Sequence, residues 1–163
     1  MLPHKIISGG QTGADQAALR AARRLGIETG GWMPRGWRTE EGQRPEFRGR
    51  YGMQEHERSD YPSRTWRNVK IADGTLILGN VETSGCSLTL RVCEGLEKPV
   101  LIVPRSRDFD SAHREIRTWI HENKIAVLNV AGNREELNPG IGAWAEQLLM
   151  VALCDPLDAD SST

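Results

Sequence analysis

Lys5-Ile-Ile-Ser-Gly-Gly-Gln-Thr-Gly-Ala-Asp-Gln-Ala-Ala-Leu19, running on to Leu25-Gly26, reads as a strand, a glycine turn and a helix without interruption. Ile6 and Ile7 form a short apolar run suited to a buried strand. Gly9 and Gly10 let the chain turn with no Cβ in the way of a group lying against the backbone. Thr12 or Gly13 opens the helix. Ala17, Ala18, Leu19, Ala21, Ala22 and Leu25 supply its propensity and apolar stripe, and Gly26 stands where a C-terminal cap is expected. The helix N-terminus then faces the glycine turn, where its unpaired N–H groups and positive dipole end make an anion site without a basic side chain. The turn is neither a Walker A loop, since no Lys-Ser/Thr follows its last glycine, nor the full dinucleotide fingerprint. Asp15 falls in the first helical turn, where the dipole favours a carboxylate. It either caps the helix or contacts the ligand, and beside a phosphate it needs a metal ion, a hydroxyl or an amine to offset repulsion.

A chain of 163 residues suffices for one domain with a real core and not for two ordinary ones. That domain is expected over residues 1–155, with the acidic stretch 156–163 fraying at the end. The formal net charge of -1 carries no nucleic-acid or membrane signature, and no apolar run approaches the ~20 residues of a bilayer span. With no basic segment leading into an apolar region at the N-terminus, a cytoplasmic location is expected. Cys86, Cys93 and Cys154 are odd in number and lack metal-finger spacing, which argues against a disulfide framework or structural zinc and for small buried hydrophobes.

Thr29 to Met33 reads as a second short strand. The segment from Pro34 to about Tyr61 is long, punctuated by glycine and without sustained period, yet it carries Trp37, Phe47 and Tyr51, which argue for order. Residues 34–70 hold nine Arg and Lys against six Asp and Glu, so this segment is either a mildly basic flap over an anion site or a solvated or subunit-contacting surface. Pro62 to Ala72 predicts a short helix and Asp73 to Gly79 a strand. Thr83-Ser-Gly-Cys-Ser-Leu-Thr89 then opens a helix to about Glu97, as either a second oxyanion cradle or a plain cap by Thr83 or Ser84. Pro99 to Pro104 has the continuous apolar character of a strand buried on both faces. An amphipathic helix over 110–123, a strand over 126–130 and a helix opened by Pro139 complete the chain.

Strands alternating with helices in this way specify an α/β fold: a Rossmann-like, three-layer arrangement with a mainly parallel sheet and helices on both faces. Ligands of such sheets bind at the carboxyl ends of the strands. The polar turns after Ile7, Leu78 and Val130 lie at that edge and are expected to converge on one crevice at a topological switch point.

Four segments together carry a resemblance: Ile6-Ile-Ser-Gly-Gly-Gln-Thr-Gly-Ala-Asp15; Gly30-Gly-Trp-Met-Pro-Arg-Gly-Trp-Arg-Thr-Glu-Glu-Gly42; Arg64-Thr-Trp-Arg-Asn-Val69 with Asp73-Gly-Thr-Leu; and Asn129-Val-Ala-Gly-Asn-Arg-Glu135 with Pro139-Gly-Ile. In order and over nearly the whole chain, they resemble the putative molybdenum carrier family, a circularly permuted YpsA-like branch of the superfamily that holds the DprA/SMF and LOG proteins. The resemblance implies a Rossmann-like fold, self-association as a dimer or tetramer, and a site for a phosphorylated or nucleotide-like ligand. For some relatives that ligand is the molybdenum cofactor, a pterin carrying a phosphate. By position the binding turns are Gly9, Gly10, Gln11, Thr12, Gly13 and Asp15; the cluster Ser84, Gly85, Cys86, Ser87 and Thr89 after Thr83; and Gly132, Asn133 and Arg134. Ser84 to Ser87 replaces the family's usual Gly-Gly-Thr, and Asn133 stands where Ala-Gly-Pro-Arg has proline. Cys86 either meets molybdenum or packs, and Asn133 restores an N–H that proline lacks.

The resulting expectation is a carrier for a phosphorylated heterocycle, with the molybdenum cofactor or a nucleotide as ligand and no nucleic-acid or membrane partner. Backbone N–H groups of Gly10 to Gly13 take the phosphate, hydroxyls of Ser84, Ser87 and Thr89 donate, Arg134 with Arg35 or Arg38 neutralises charge, and Trp37 covers the ring or packs. The rivals are a nucleotide-sensing module and a LOG-like phosphoribohydrolase with Asp15, Glu40 or Glu41 as acid or base. The absence of the LOG motif Pro-Gly-Gly-x-Gly-Thr weighs against the hydrolase.

Overall fold

The computed structural model describes residues 1–155, so the expected fraying tail lies outside the described residues. In chain order the elements are β1 (Lys5–Ile7), α1 (Ala14–Arg24), β2 (Glu28–Gly30), β3 (Trp32–Met33), β4 (Arg38–Thr39), β5 (Gly42–Gln43), α2 (Phe47–Tyr51), β6 (Gln54–Glu55), α3 (Tyr61–Ile71), β7 (Gly74–Leu78), α4 (Ser84–Gly95), β8 (Val100–Val103), α5 (Phe109–Glu122), β9 (Val127–Gly132) and α6 (Ile141–Ala152). Five strands form one parallel sheet in the order β2-β1-β9-β7-β8. The last strand is threaded between the first and β7, with Ile6 opposite Leu128 and Leu76 opposite Val130.

Alternation along the strands divides the two faces of the sheet. Ile6, Leu76, Leu78, Leu128 and Val130 point to one side, where they bury against Ala17 and Ala18 of α1, Ile116 of α5 and Leu148 of α6. Thr75 and Asn129 point to the other, and Asn129 Nδ2 donates to Thr75 Oγ1 at 3.2 Å. That side meets α3 and α4, whose Thr65 and Thr89 share a small polar void with Asn129 and Ala131. The result is the expected three-layer, Rossmann-like fold. One of its helical layers is apolar against the sheet, and the other has a polar centre.

Two local expectations are corrected, and the long segment takes a definite form. Val100–Val103 is the sheet's edge and its first three residues are half-exposed, because β9 takes the central place that the apolar run of β8 had implied. The stretch 29–33 is two strands: Gly31, at φ +123°, packs against the backbone of Ser8 and turns the chain out of the main sheet into a small one made with β6. The long segment after Pro34 is built around its own apolar cluster of Leu19, Met33, Phe47, Tyr51 and Met53, with Trp37 packed against it. Within it β4 and β5 pair antiparallel as a hairpin.

Candidate functional site

The turns after β1, β7 and β9 converge, because threading β9 between β1 and β7 places their three carboxyl ends side by side. They enclose a cavity of about 140 Å³. Gln11 and Asp15 line it from the first turn, Thr83, Ser84, Gly85 and Thr89 from the second, and Gly132, Asn133 and Arg134 from the third. Tyr61, Arg64 and Thr65 of α3 complete it.

The glycine turn is packed for the protein's own contacts. Gly10 N–H donates to Ser8 Oγ, Gln11 N–H to Asp15 Oδ2, Thr12 N–H to Gln11 Oε1 and Ala14 N–H to the carbonyl of Asn133. Three of the four amides expected to receive a phosphate, those of Gly10, Gln11 and Thr12, are therefore engaged, and the N-terminus of α1 is closed by the turn after β9. Gly13, at φ +81°, lies so close to that turn that an added Cβ would sit 2.3 Å from Asn133 O. Gly9 is occupied differently, since a Cβ there would meet the Arg64 guanidinium at 2.5 Å. Thr12 Oγ1 donates to Glu40 Oε1, which also accepts from Glu136 N–H.

The open helix end is that of α4. Thr83 is its N-cap residue but makes no side-chain capping bond, its hydroxyl donating instead to the Asn80 carbonyl, so the expected cap by Thr83 or Ser84 is absent. Ser84 and Gly85 are exposed at the cavity, and nothing lies within 4 Å of a Cβ built on Gly85. Two expected donors are diverted along the helix: Ser87 Oγ donates to the Ser84 carbonyl and Thr89 Oγ1 to that of Gly85. Cys86 is 2% exposed, its sulfur receives Asn133 Nδ2 at 3.4 Å, and burial pushes its thiol up, so it packs as a protonated side chain. Asn133 holds the turn together, its Oδ1 accepting from Asn80 N–H at 2.7 Å and its Nδ2 donating to the Asn80 carbonyl at 2.9 Å.

Two buried polar side chains of the cavity wall keep unused capacity. Gln11 is 5% exposed; its Oε1 accepts from both Thr12 N–H and Glu40 N–H, which fixes the amide's orientation and leaves Nε2 with no protein partner. Asp15 is equally buried, and desolvation pushes its carboxyl up to about 6 against the opposing pull of Arg64. Arg64 keeps a buried Nε without a partner. Burial lowers its own proton affinity, though a guanidinium stays charged. Arg35 and Arg38 are both exposed and outside the cavity lining, but Arg38 of the β4–β5 hairpin meets a lining residue, its guanidinium carbon lying 5.3 Å from the Tyr61 ring centre.

Sequence reasoning missed Tyr61, Arg64 and Thr65 as site residues. Their signal was a polar face on a short helix: Tyr61, Arg64, Thr65 and Asn68 recur at helical spacing, and Thr65 and Asn68 are buried.

Comparison with known proteins agrees with this architecture. No curated protein matches the chain. A crystal structure described as "Putative molybdenum carrier protein" from Syntrophus aciditrophicus SB is 41% identical over 94% of this chain and 96% of that one, with a TM-score of 0.88. The model of the circularly permuted YpsA SLOG family matches residues 6–153, from the first strand to the end of the last helix. The match spans nearly the whole chain, and the chain belongs to the circularly permuted YpsA SLOG family.

Proposed function

We propose that the protein binds and carries a small phosphorylated heterocycle, with the molybdenum cofactor as the first candidate and a nucleotide as the second. The observation that carries this reading is the uncapped N-terminus of α4, open to the same cavity as Arg64, Arg134 and the unpartnered Gln11 amide. A phosphate there meets free helix N–H groups and two guanidiniums, a stronger anion site than the closed end of α1. At about 140 Å³ the cavity is below the ~300 Å³ at which drug-sized sites begin, so it encloses the phosphate and one end of the ligand, while the rest lies at its mouth. The neighbour from Syntrophus supports molybdenum-related cargo, and self-association belongs to the same reading.

The test is thermal unfolding with the molybdenum cofactor, AMP and molybdate, each in excess, on the wild type and on Gly85→Asp. An Asp at position 85 has room and suits a helix start, so the fold is expected to hold while the new charge repels a phosphate. Stabilisation by the cofactor or AMP that vanishes in Gly85→Asp supports the reading. No shift with any of them, or a shift that survives the substitution, overturns it.

Asp15 favours one rival. A carboxyl poised near 6 inside the cavity is suited to proton transfer, whereas Glu40 is tied to Thr12 and Glu136. Release of free base from nucleoside monophosphates, abolished by Asp15→Asn, identifies a phosphoribohydrolase instead.

A further inference from the structure

Tyr61, the first residue of α3, sits among three guanidiniums contributed by three separate parts of the chain. The guanidinium carbons of Arg38 from the hairpin, Arg64 from α3 and Arg134 from the turn after β9 lie 5.3, 5.3 and 5.2 Å from its ring centre. Several arginines elsewhere meet carboxylates, as Arg20 with Glu146 at 2.9 Å, Arg58 with Asp60 at 3.0 Å and Arg67 with Glu57 at 2.8 Å, while others such as Arg105 and Arg117 donate to carbonyl oxygens. Among the described residues none of the three around Tyr61 has a carboxylate within 4 Å, and their neutral contacts are sparse. Arg38 Nη1 donates to the Ser59 carbonyl and Arg64 Nη1 to Thr65 Oγ1, while Arg64 Nε has no partner. The aromatic ring attracts each cation through its quadrupole but neutralises none of them. The one carboxylate lining the cavity, Asp15, faces Arg64 and pulls on Arg134 more weakly.

The charge exceeds what one phosphate uses. A single phosphate at the N-terminus of α4 engages that helix end with Arg64 and Arg134, and Arg38 on the rim is left over. We propose that Arg38 and Arg134, gathered by Tyr61, form a second anion subsite at the cavity mouth, so that the ligand carries two linked phosphates. This rests on the phosphate reading above and shifts its preferred ligand from the single-phosphate cofactor to diphosphate-bearing heterocycles, whether pterin or purine. Tyr61 is the positioning residue: it touches the guanidiniums and sets where they stand. The hairpin bearing Arg38 thereby becomes a ligand-reading element rather than a passive cover.

The test measures affinities of inorganic phosphate, pyrophosphate, AMP and ADP at fixed ionic strength, without divalent metal. The expected result is that pyrophosphate and ADP bind about tenfold or more tightly than phosphate and AMP. Arg38→Ala, at an exposed position, brings the ADP-to-AMP ratio to near one. Tyr61→Leu also loses the ratio and Tyr61→Phe keeps it, because an aromatic ring rather than a hydroxyl gathers the cations. A wild-type ratio near one, or a ratio that survives Arg38→Ala, overturns the second subsite while AMP and phosphate binding leave the first intact. If none of the four probes binds, the phosphate reading itself fails, and the second subsite with it.

Discussion

Among the described carboxyls whose proton affinity departs clearly from the ordinary, Asp15 is the one held above its ordinary value. Its carboxyl ionises at about 6 in the folded protein against 3.8 for an ordinary aspartate, so between those pH values the native state holds a proton that the unfolded chain has released. Stability therefore falls as pH rises from about 4 to about 6 and is flat above, the reverse of a salt-bridged carboxylate. Two units correspond to about 3 kcal/mol at most. Asp15→Asn, whose amide oxygen still accepts from Gln11 N–H, is expected to raise the melting temperature at pH 8 and leave it nearly unchanged at pH 4. An identical pH profile in the two proteins would show that burial of Asp15 is not the cause. The glycines of the first turn divide in the same way by what lies against them. Gly9→Ala displaces only the flexible end of Arg64 and is expected to weaken phosphate binding while unfolding stays close to wild type. Gly13→Ala collides with backbone at a positive φ and is expected to cost at least about 2 kcal/mol in denaturant titration.

The hairpin between β4 and β5 is the element that joins the flap to the site. Glu40 at its tip accepts from Thr12 Oγ1 and Glu136 N–H and donates its own N–H to Gln11 Oε1, so one residue ties the hairpin to the first and third turns. Its other oxygen, Oε2, is buried without a partner, which makes the latch weaker than its contacts alone imply. Glu40→Ala is expected to lower stability by about 1–3 kcal/mol and to speed hydrogen exchange over residues 38–43 more than over β7 or β9. Uniform acceleration across the sheet would mean that Glu40 supports the whole fold and not the hairpin. The flap's remaining order comes from its own apolar cluster around Met33, Phe47 and Met53, which does not depend on this latch.

At the scale of the molecule, the decisive feature is that the sheet closes with its last strand. β1 and β7 are both paired to β9, so neither has its full set of neighbours until residues 127–132 dock between them. Ile6 and Leu128 are opposite one another though far apart in sequence, a long-range closure that slows folding. A chain ending before Val127 is expected to show no cooperative thermal transition, because it lacks the centre of the sheet and also α6, which covers α1. A sharp transition in that truncated chain would mean that the rest forms a stable unit without its central strand. The same closure builds the site: with β9 at the centre, Asn133 and Arg134 reach between the first and second turns, and their presence there closes the end of α1.

The sequence by itself determined the alternation of strands and helices, the parallel sheet and the convergence of three polar turns. These follow from local periodicity, glycine placement and the rule that parallel strands bring their carboxyl ends to one edge. It also carried the motifs that place the chain in its family. Strand order was beyond it, because the apolar runs of β8 and β9 read alike and only pairing decides which is central and which is the edge. Which helix end stays open for an anion was decided by tertiary structure as well. The glycine turn of α1 and the Ser-Gly turn of α4 have similar local chemistry, and only the docking of Asn133 against Gly13 closes the one and leaves the other free. Tyr61, Arg38, Arg64 and Arg134 come from segments that no local pattern links, and only the folded chain brings their charges round one ring.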